Sequence, residues 1–144
     1  MTRLNNHNLG KLTDDVAKPQ YDRQTLTPGI VHIGVGGFHR AHQAMYLDAL
    51  MNQGEALNWG IVGVGVMPGD KRMQQALAAQ DYLYTLVVKH PDGQYEPRVI
   101  GSMVNYLFAP EDTEAVIEQM ADPAIRIVSL TVTEGGYNFH PVSG

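Results

Sequence analysis

Cysteine is absent from all 144 residues, which excludes disulfides, thiolate metal centres and a cysteine nucleophile and fits a reducing compartment such as the cytoplasm. Basic residues are scarce: 10 Lys and Arg stand against 15 Asp and Glu, for a formal charge of −5. A chain without a basic footprint is not built to bind nucleic acid or an anionic membrane surface. No apolar run approaches the roughly 18 residues of a membrane span. The polar first 29 residues lack the apolar stretch of a secretory signal. These absences predict a soluble, cytoplasmic chain. What is present is a 44% hydrophobic content, too high for disorder and enough for the core of one domain.

Residues 1–29 carry no periodicity and read as an N-terminal arm, followed by one domain over 30–144. Ile30 to Val35 is a β-branched run of strand length. From His39 to Met51 the apolar residues Ala41, Ala44, Met45, Leu47 and Met51 take helical spacing. Trp59 to Val66 is a second buried-strand run, broken by Pro68-Gly69-Asp70, after which a helix is expected through Ala79. Tyr82 to Val88 and Val99 to Leu107 read as two strands of a hairpin turned at Pro91-Asp92-Gly93. A helix follows from Pro110 to Met120, and Ile125 to Val132 is the last strand. Strands alternating with helices predict an α/β fold, a Rossmann-like doubly wound, mainly parallel sheet with a hairpin insertion. The nearly unbroken apolar runs at 30–35, 61–66 and 125–132 fit central strands covered on both faces.

Gly34-Val35-Gly36-Gly37-Phe38-His39-Arg40 falls between the first strand and the first helix, where such a fold holds a phosphate. Gly34 suits the tight turn and Gly36 the close approach of a pyrophosphate, with helix amides supplying donors. The third glycine of the fingerprint would stand at position 39, which is His. The competing reading is a tight turn that binds nothing. Arg40 opposes the helix dipole, which a bound phosphate would explain, as would solvation or an acidic neighbour. His39 and His42 lack a third metal ligand at a suitable spacing, so no metal is expected. Asp70, after the second strand, is placed either to accept from an adenosine ribose or to cap the next helix, while Lys71 and Arg72 could instead meet a 2′-phosphate. Thr133 and Glu134 follow the last strand on the ligand side of such a sheet. Glu134 could handle a proton, bind ribose or cap a helix.

Taken together, Ile30-Val31-His32-Ile33-Gly34-Val35-Gly36-Gly37-Phe38-His39-Arg40-Ala41-His42-Gln43 resembles the nucleotide-binding stretch of the long-chain mannitol dehydrogenase family, whose pattern is G-x-G-x-F-H-R-A-H. Trp59-Gly60-Ile61, Gln80 to Leu86 and Ser129 to Tyr137 add to the resemblance in the expected order. It implies an NAD-dependent oxidoreductase that passes a hydride between a mannitol-like polyol and NAD, giving the ketose. A fructuronate or tagaturonate reductase of the same family and a non-catalytic nucleotide-binding domain are the alternatives. By match, the cofactor-binding residues are Ile30, Val31, His32, Ile33, Gly34, Val35, Gly36, Gly37, Phe38, His39, Arg40 and Ala41, with Asp70 in the region governing NAD over NADP; Glu134 matches a family glutamate near the active site, and Thr133 and Glu134 join the cofactor-binding set from their place facing the cleft. Gly69 stands where some members carry a second acid, which leaves NADP open. The resemblance places the family's catalytic lysine, with its Asn and His partners, in a helical C-terminal substrate domain beyond Gly144. No catalytic residue is therefore assigned among these positions. The expected partners are NAD and a small polyol or sugar-acid substrate.

Overall fold

The computed structural model describes residues 3–132, 140, 142 and 143. Its elements are β1 (Pro28–Ile33), α1 (Gly37–Ala41), α2 (Gln43–Met51), β2 (Gly60–Gly65), α3 (Lys71–Ala78), β3 (Tyr84–Lys89), β4 (Tyr95–Ile100), β5 (Met103–Phe108), α4 (Thr113–Ala121) and β6 (Ile127–Leu130). Four strands form a parallel sheet in the order β5-β2-β1-β6, and β3 and β4 make a separate antiparallel hairpin. Chain order reverses about β1, so successive crossovers lie on opposite faces. This is the doubly wound arrangement that the alternation of strands and helices predicts.

Parallel strands covered on both faces should be apolar throughout, and β2 is buried along its whole length. On one face Ile30, Val35, Ala44, Ile61, Leu77, Tyr84, Ile100, Met103 and Tyr106 pack together, joining the sheet to α2, α3 and the hairpin. On the other, Val31, Val62, Val64 and Val116 join it to α4. Fully burying each such valine contributes about 1.5–3 kcal/mol. The helix α4 starts where Asp112 accepts from the Ala115 amide at 2.9 Å.

Three details depart from the sequence reading. The expected helix from His39 to Met51 is two helices, because His42 leaves helical geometry at φ −122°, ψ −84° and its ring bonds the Phe38 carbonyl at 2.8 Å. The expected strand from Val99 to Leu107 is divided at Gly101-Ser102, so β4 completes the hairpin and β5 enters the parallel sheet. The division is held by Asp48, whose Oδ1 accepts from the Gly101 amide at 2.9 Å, and by Ser102, whose hydroxyl donates to the Ala44 carbonyl at 2.6 Å. The third apolar run is not central among the described strands. β6 has β1 on one side only, and Ile127, Val128 and Leu130 remain exposed.

The residues before β1 form short 3-10 turns at Asn6–Lys11 and Arg23–Thr25. They are tied down at few points. Tyr21 donates to Asp48 at 2.5 Å, and Arg23 donates to the carbonyls of Gly101 and Met103 at 2.9 and 2.8 Å. Asn52 adds a third donor to Asp48 at 3.0 Å. Burial pushes the Asp48 carboxyl up and these donors pull it back, while burial beside Asp48 pushes the Tyr21 phenol up. Asp48→Ala leaves the Gly101 amide and the Tyr21 hydroxyl without their acceptor and should cost about 3 kcal/mol, against about 1 kcal/mol for Tyr21→Phe. Urea denaturation measures both. A loss for Asp48→Ala no larger than that for Tyr21→Phe contradicts this role.

Candidate functional site

The site lies at the carboxyl ends of β1 and β6, where the sheet order reverses and a crevice opens. Here β1 must pass into α1 within three residues. Gly34 does so at φ +85°, a left-handed conformation that disfavours any side chain, while its amide bonds the Val64 carbonyl at 2.9 Å. The Gly36 amide closes back on the Gly34 carbonyl at 2.8 Å. A Cβ added at Gly34, Gly36 or Gly37 would meet nothing within 4 Å. The turn is therefore open on its outer side, where the first-turn amides of α1 have no acceptor within the helix.

Surrounding side chains lock this turn from below. Arg40 Nη1 donates to the Val35 carbonyl at 2.9 Å and lies 3.5 Å from the Met73 sulfur. The Tyr84 hydroxyl donates to the Arg40 carbonyl at 2.6 Å. Arg40 thus resolves neither as a solvated cation nor as the partner of an acid: it braces the turn. The second strand approaches closely through Gly65, where a Cβ would stand 2.5 Å from the Tyr106 hydroxyl and 2.6 Å from the Asp70 Cβ. Burial, with Asp70 beside it, pushes the Tyr106 phenol up to about 12.

Asp70 does not cap α3 through its side chain. Its Oδ2 accepts from the amides of Val66 and Met67, both at 3.0 Å, and so holds the turn leaving β2. Both bonds fall on one oxygen, so Oδ1 remains able to accept a ribose hydroxyl. Lys71 pairs with Glu111 and lies over the Phe108 ring, which draws that cation away from a 2′-phosphate role.

His32 and His39 stack face to face with ring centroids 3.6 Å apart and planes within 8°. The position of the missing third glycine is thus filled by an imidazole lying on another imidazole. His32 is held between the hydroxyls of Ser129 (2.9 Å) and Thr131 (3.1 Å), across the β1–β6 pairing. His39 is 2% exposed, and neither of its ring nitrogens has a hydrogen-bond partner among the described residues. Burial first, then the neighbouring His32, holds its pKa down to about 4. Gln43 lies near enough to oppose that shift but falls short of hydrogen-bond geometry. Burial likewise lowers the pKa of His32.

A cavity of about 320 Å³ is lined by His32, Phe38, His39 and Gln43 and by Leu130, Thr131 and Val132 at the end of β6. The expected cofactor segment is therefore divided in function. Ile30 and Val31 are core side chains that hold β1, and Ile33 packs on the α4 face. Val35 is buried under the turn, Phe38 is 69% exposed at its rim, and Ala41 ends α1. Asp70 lies across the turn beside β2. Thr133 and Glu134 lie outside the described residues. The sequence reading did not assign Gln43, Ser129 or Thr131 to the site. The signal for the last two was polar residues alternating within an otherwise apolar strand. Among the described residues no three His, Asp or Glu side chains are grouped to hold a metal. His42 stands apart from His39, exposed and stacked on Phe38 at 4.4 Å.

A larger cavity, about 540 Å³, lies between the arm and the amino ends of β1 and β5, lined by residues that include Asn6, Arg23, Asp81 and Val104. Its polar groups bond one another: Arg23 donates to Asn6 at 2.5 Å, and the Asn6 amide donates to Asp81 at 2.9 Å.

Comparison with known proteins agrees with this geometry. Residues 28–142 match the family model for the mannitol dehydrogenase Rossmann domain. A mannitol 2-dehydrogenase of Cereibacter sphaeroides is 59% identical over 126 residues, covering 88% of this chain and 26% of the relative. One from Aspergillus clavatus is 49% identical over 143 residues, covering 96% and 28%. Among solved structures, Pseudomonas fluorescens mannitol 2-dehydrogenase in ternary complex with NAD and D-mannitol superposes with a TM-score of 0.90 at 51% identity, covering 94% of this chain and 27% of that one. Substrate-free D-sorbitol dehydrogenase gives 0.89 at 43% identity, covering 99% and 29%. The chain spans about a quarter of the length of the curated relatives it matches.

The depressed His39 pKa makes stability depend on pH with a definite sign. An unfolded histidine titrates near 6.5, whereas folded His39 is held to about 4. Between these values the unfolded chain binds a proton that the folded chain refuses. Stability therefore falls as pH drops through that window, by about 3 kcal/mol once below it. His32 acts with the same sign and Asp48 with the opposite one. Thermal denaturation from pH 7 to 4 should show a steeper loss for the wild type than for His39→Leu. Equal slopes contradict the account.

Proposed function

The chain belongs to the mannitol dehydrogenase family, and we propose that it supplies the NAD-binding share of a polyol 2-dehydrogenase. The observation that carries this reading is the glycine turn, left-handed at Gly34 and open above Gly36 and Gly37, at the mouth of the β1–β6 crevice. Such a turn at the start of a helix suits a pyrophosphate, with donors in place and no side chain in the way. When bound, NAD supplies the nicotinamide carbon that accepts or returns the hydride.

In this reading the segment from Gly34 to Ala41 holds the dinucleotide, supported from below by Ile30, Val31, His32 and Ile33. Asp70 receives the adenosine ribose on the β2 side. Its acid character, together with the Lys71–Glu111 pair, favours NAD over NADP. Thr133 and Glu134 belong to the same site by their match to the family. The substrate is a mannitol-like polyol whose secondary alcohol becomes a ketone. The Pseudomonas fluorescens relative, with NAD and D-mannitol bound, supports that choice over a hexuronate. No residue described here takes the alcohol proton, so none is assigned as catalytic. A cytoplasmic setting agrees with the lack of cysteine and with the fact that no described helix is long and apolar enough to cross a membrane.

Gly36 tests the reading without disturbing the fold. Its φ of −85° and ψ of −176° suit any residue, and a Cβ there meets nothing within 4 Å. Gly36→Val should keep the wild-type melting temperature within about 2 °C. Its methyls would occupy the space the pyrophosphate needs, and NADH affinity should fall by at least about tenfold, about 1.4 kcal/mol. Fluorescence titration of NADH reads the effect. Equal affinity in the two chains contradicts the proposed site.

A further inference from the structure

The cavity of about 540 Å³ lies at the opposite end of the sheet from the glycine turn, and the proposed dinucleotide site makes no use of it. Its volume falls in the usual span of small-ligand sites, about 300–1,000 Å³. The arm supplies one wall, with Asn6, Asp22, Arg23 and Gln24, and the turn after α3 supplies another, with Asp81 and Tyr82. That turn is strained. Asp81 and Tyr82 stand at φ +51° and +62°, two successive left-handed residues, neither of them glycine. Their amides close α3 on the carbonyls of Ala78 and Leu77 at 3.3 and 2.8 Å. Glycine, the usual residue at such a helix end, makes the same backbone bonds without a crowded Cβ. What the strained turn keeps, and glycines would lose, is a carboxylate and a phenol lining the cavity. Strain held where an easier residue exists is a mark of functional sites.

The polar groups of this cavity are only partly spent on one another. Asp81 Oδ2 accepts from the Asn6 amide and Asp22 Oδ1 from the Gln24 amide, both at 2.9 Å, so each carboxylate keeps one oxygen free among the described residues. The Gln24 side chain and the Tyr82 hydroxyl are likewise open. None of these atoms is sealed off: Asp22 and Gln24 are exposed, and the free atoms of Asp81 and Tyr82 still reach solvent. Arg23 spends three of its five N–H groups on Gly101, Met103 and Asn6, and no carboxylate lies within 4 Å of it among the described residues. Two carboxylates facing one guanidinium, in a chain of net charge −5, disfavour an anion, and Arg23 disfavours a cation. A hydroxyl both donates and accepts, so a molecule rich in hydroxyls can meet carboxylate, amide, phenol and guanidinium together. We propose that the cavity is a second ligand site, separate from the dinucleotide, for a small neutral polyhydroxylated molecule such as a hexitol or a hexose. Asp81 and Tyr82 bind it from the turn after α3, and Asp22 and Gln24 from the arm. The ligand thereby ties the arm to the domain, where few other contacts do.

Amide chemical-shift mapping of the ¹⁵N-labelled 144-residue chain tests the site with three probes: D-mannitol, D-glucose and inorganic phosphate. At least one of the two neutral probes should give saturable shifts at Asn6, Arg23, Gln24, Asp81 and Tyr82, with Gly34 to Arg40 unmoved, and whichever binds tells an open-chain ligand from a cyclic one. Phosphate should leave these amides in place. Two variants then assign the contacts. Asp81→Asn keeps an acceptor for the Asn6 amide, and asparagine tolerates the left-handed backbone, so the melting temperature should not fall while affinity for the bound probe drops about three- to tenfold. Gln24→Ala removes a side chain that bonds nothing else, and should weaken the same probe about two- to tenfold at an unchanged melting temperature. Shifts that grow without saturating for both neutral probes, shifts centred on the glycine turn, or a response to phosphate alone overturns the proposal. So does wild-type affinity in both variants. The dinucleotide site stands or falls separately, on NADH shifts at Gly34 to Arg40.

Discussion

At the end of β1 a buried strand must become a helix almost at once, and the turn that does so is possible because residue 34 can take φ +85°. Much of the rest of the structure answers to that junction. The Gly34 amide is spent on the Val64 carbonyl of β2, which fixes the turn to the sheet. Arg40 then reaches back to the Val35 carbonyl and Tyr84 reaches from the hairpin to the Arg40 carbonyl. The hairpin insertion is thus tied, through one hydroxyl, to the floor of the candidate site. Its outer surface stays clear because three glycines there carry no side chain.

The same junction explains an unusual use of histidine. A Rossmann turn with a third glycine lets helix and strand approach closely. Here the space between them holds a stacked pair, His32 from β1 and His39 from α1. The strand-borne imidazole is satisfied by two hydroxyls of β6 and its neighbour, so β6 contributes to the site as well as to the sheet. The helix-borne imidazole is buried and neutral. Two neutral rings in contact are tolerable where two cations would not be, which couples the integrity of the turn to proton activity.

Much of the architecture was legible in the residues. The apolar runs of β1 and β2, the acid cap of α4 and the Pro91-Asp92-Gly93 turn gave strand, helix and hairpin correctly. What was not legible depended on contacts distant in sequence. The division of the run from Val99 to Leu107 is made by Asp48, whose carboxylate takes the Gly101 amide from 53 residues away. The break at His42 comes from a side chain competing for a helix carbonyl. β6 has the composition of a two-sided strand, and among the described residues it has a neighbour on one side only. Within the site, glycine spacing located the turn, whereas the roles of Arg40 and Asp70 appeared only with their partners. The motif placed Arg40 near a phosphate and Asp70 near a ribose or at a helix cap, and the structure turns both toward backbone groups.

The central claim is that the dinucleotide lies over the glycine turn between β1 and β6, and not in the larger cavity beneath the arm. Amide chemical-shift mapping of the ¹⁵N-labelled chain during an NADH titration tests it directly. The account predicts the largest shifts at Gly34 to Arg40 and at Thr131 and Val132, with Asn6, Arg23 and Asp81 unmoved. Shifts concentrated at Asn6, Arg23 and Asp81, with the glycine turn silent, would contradict it.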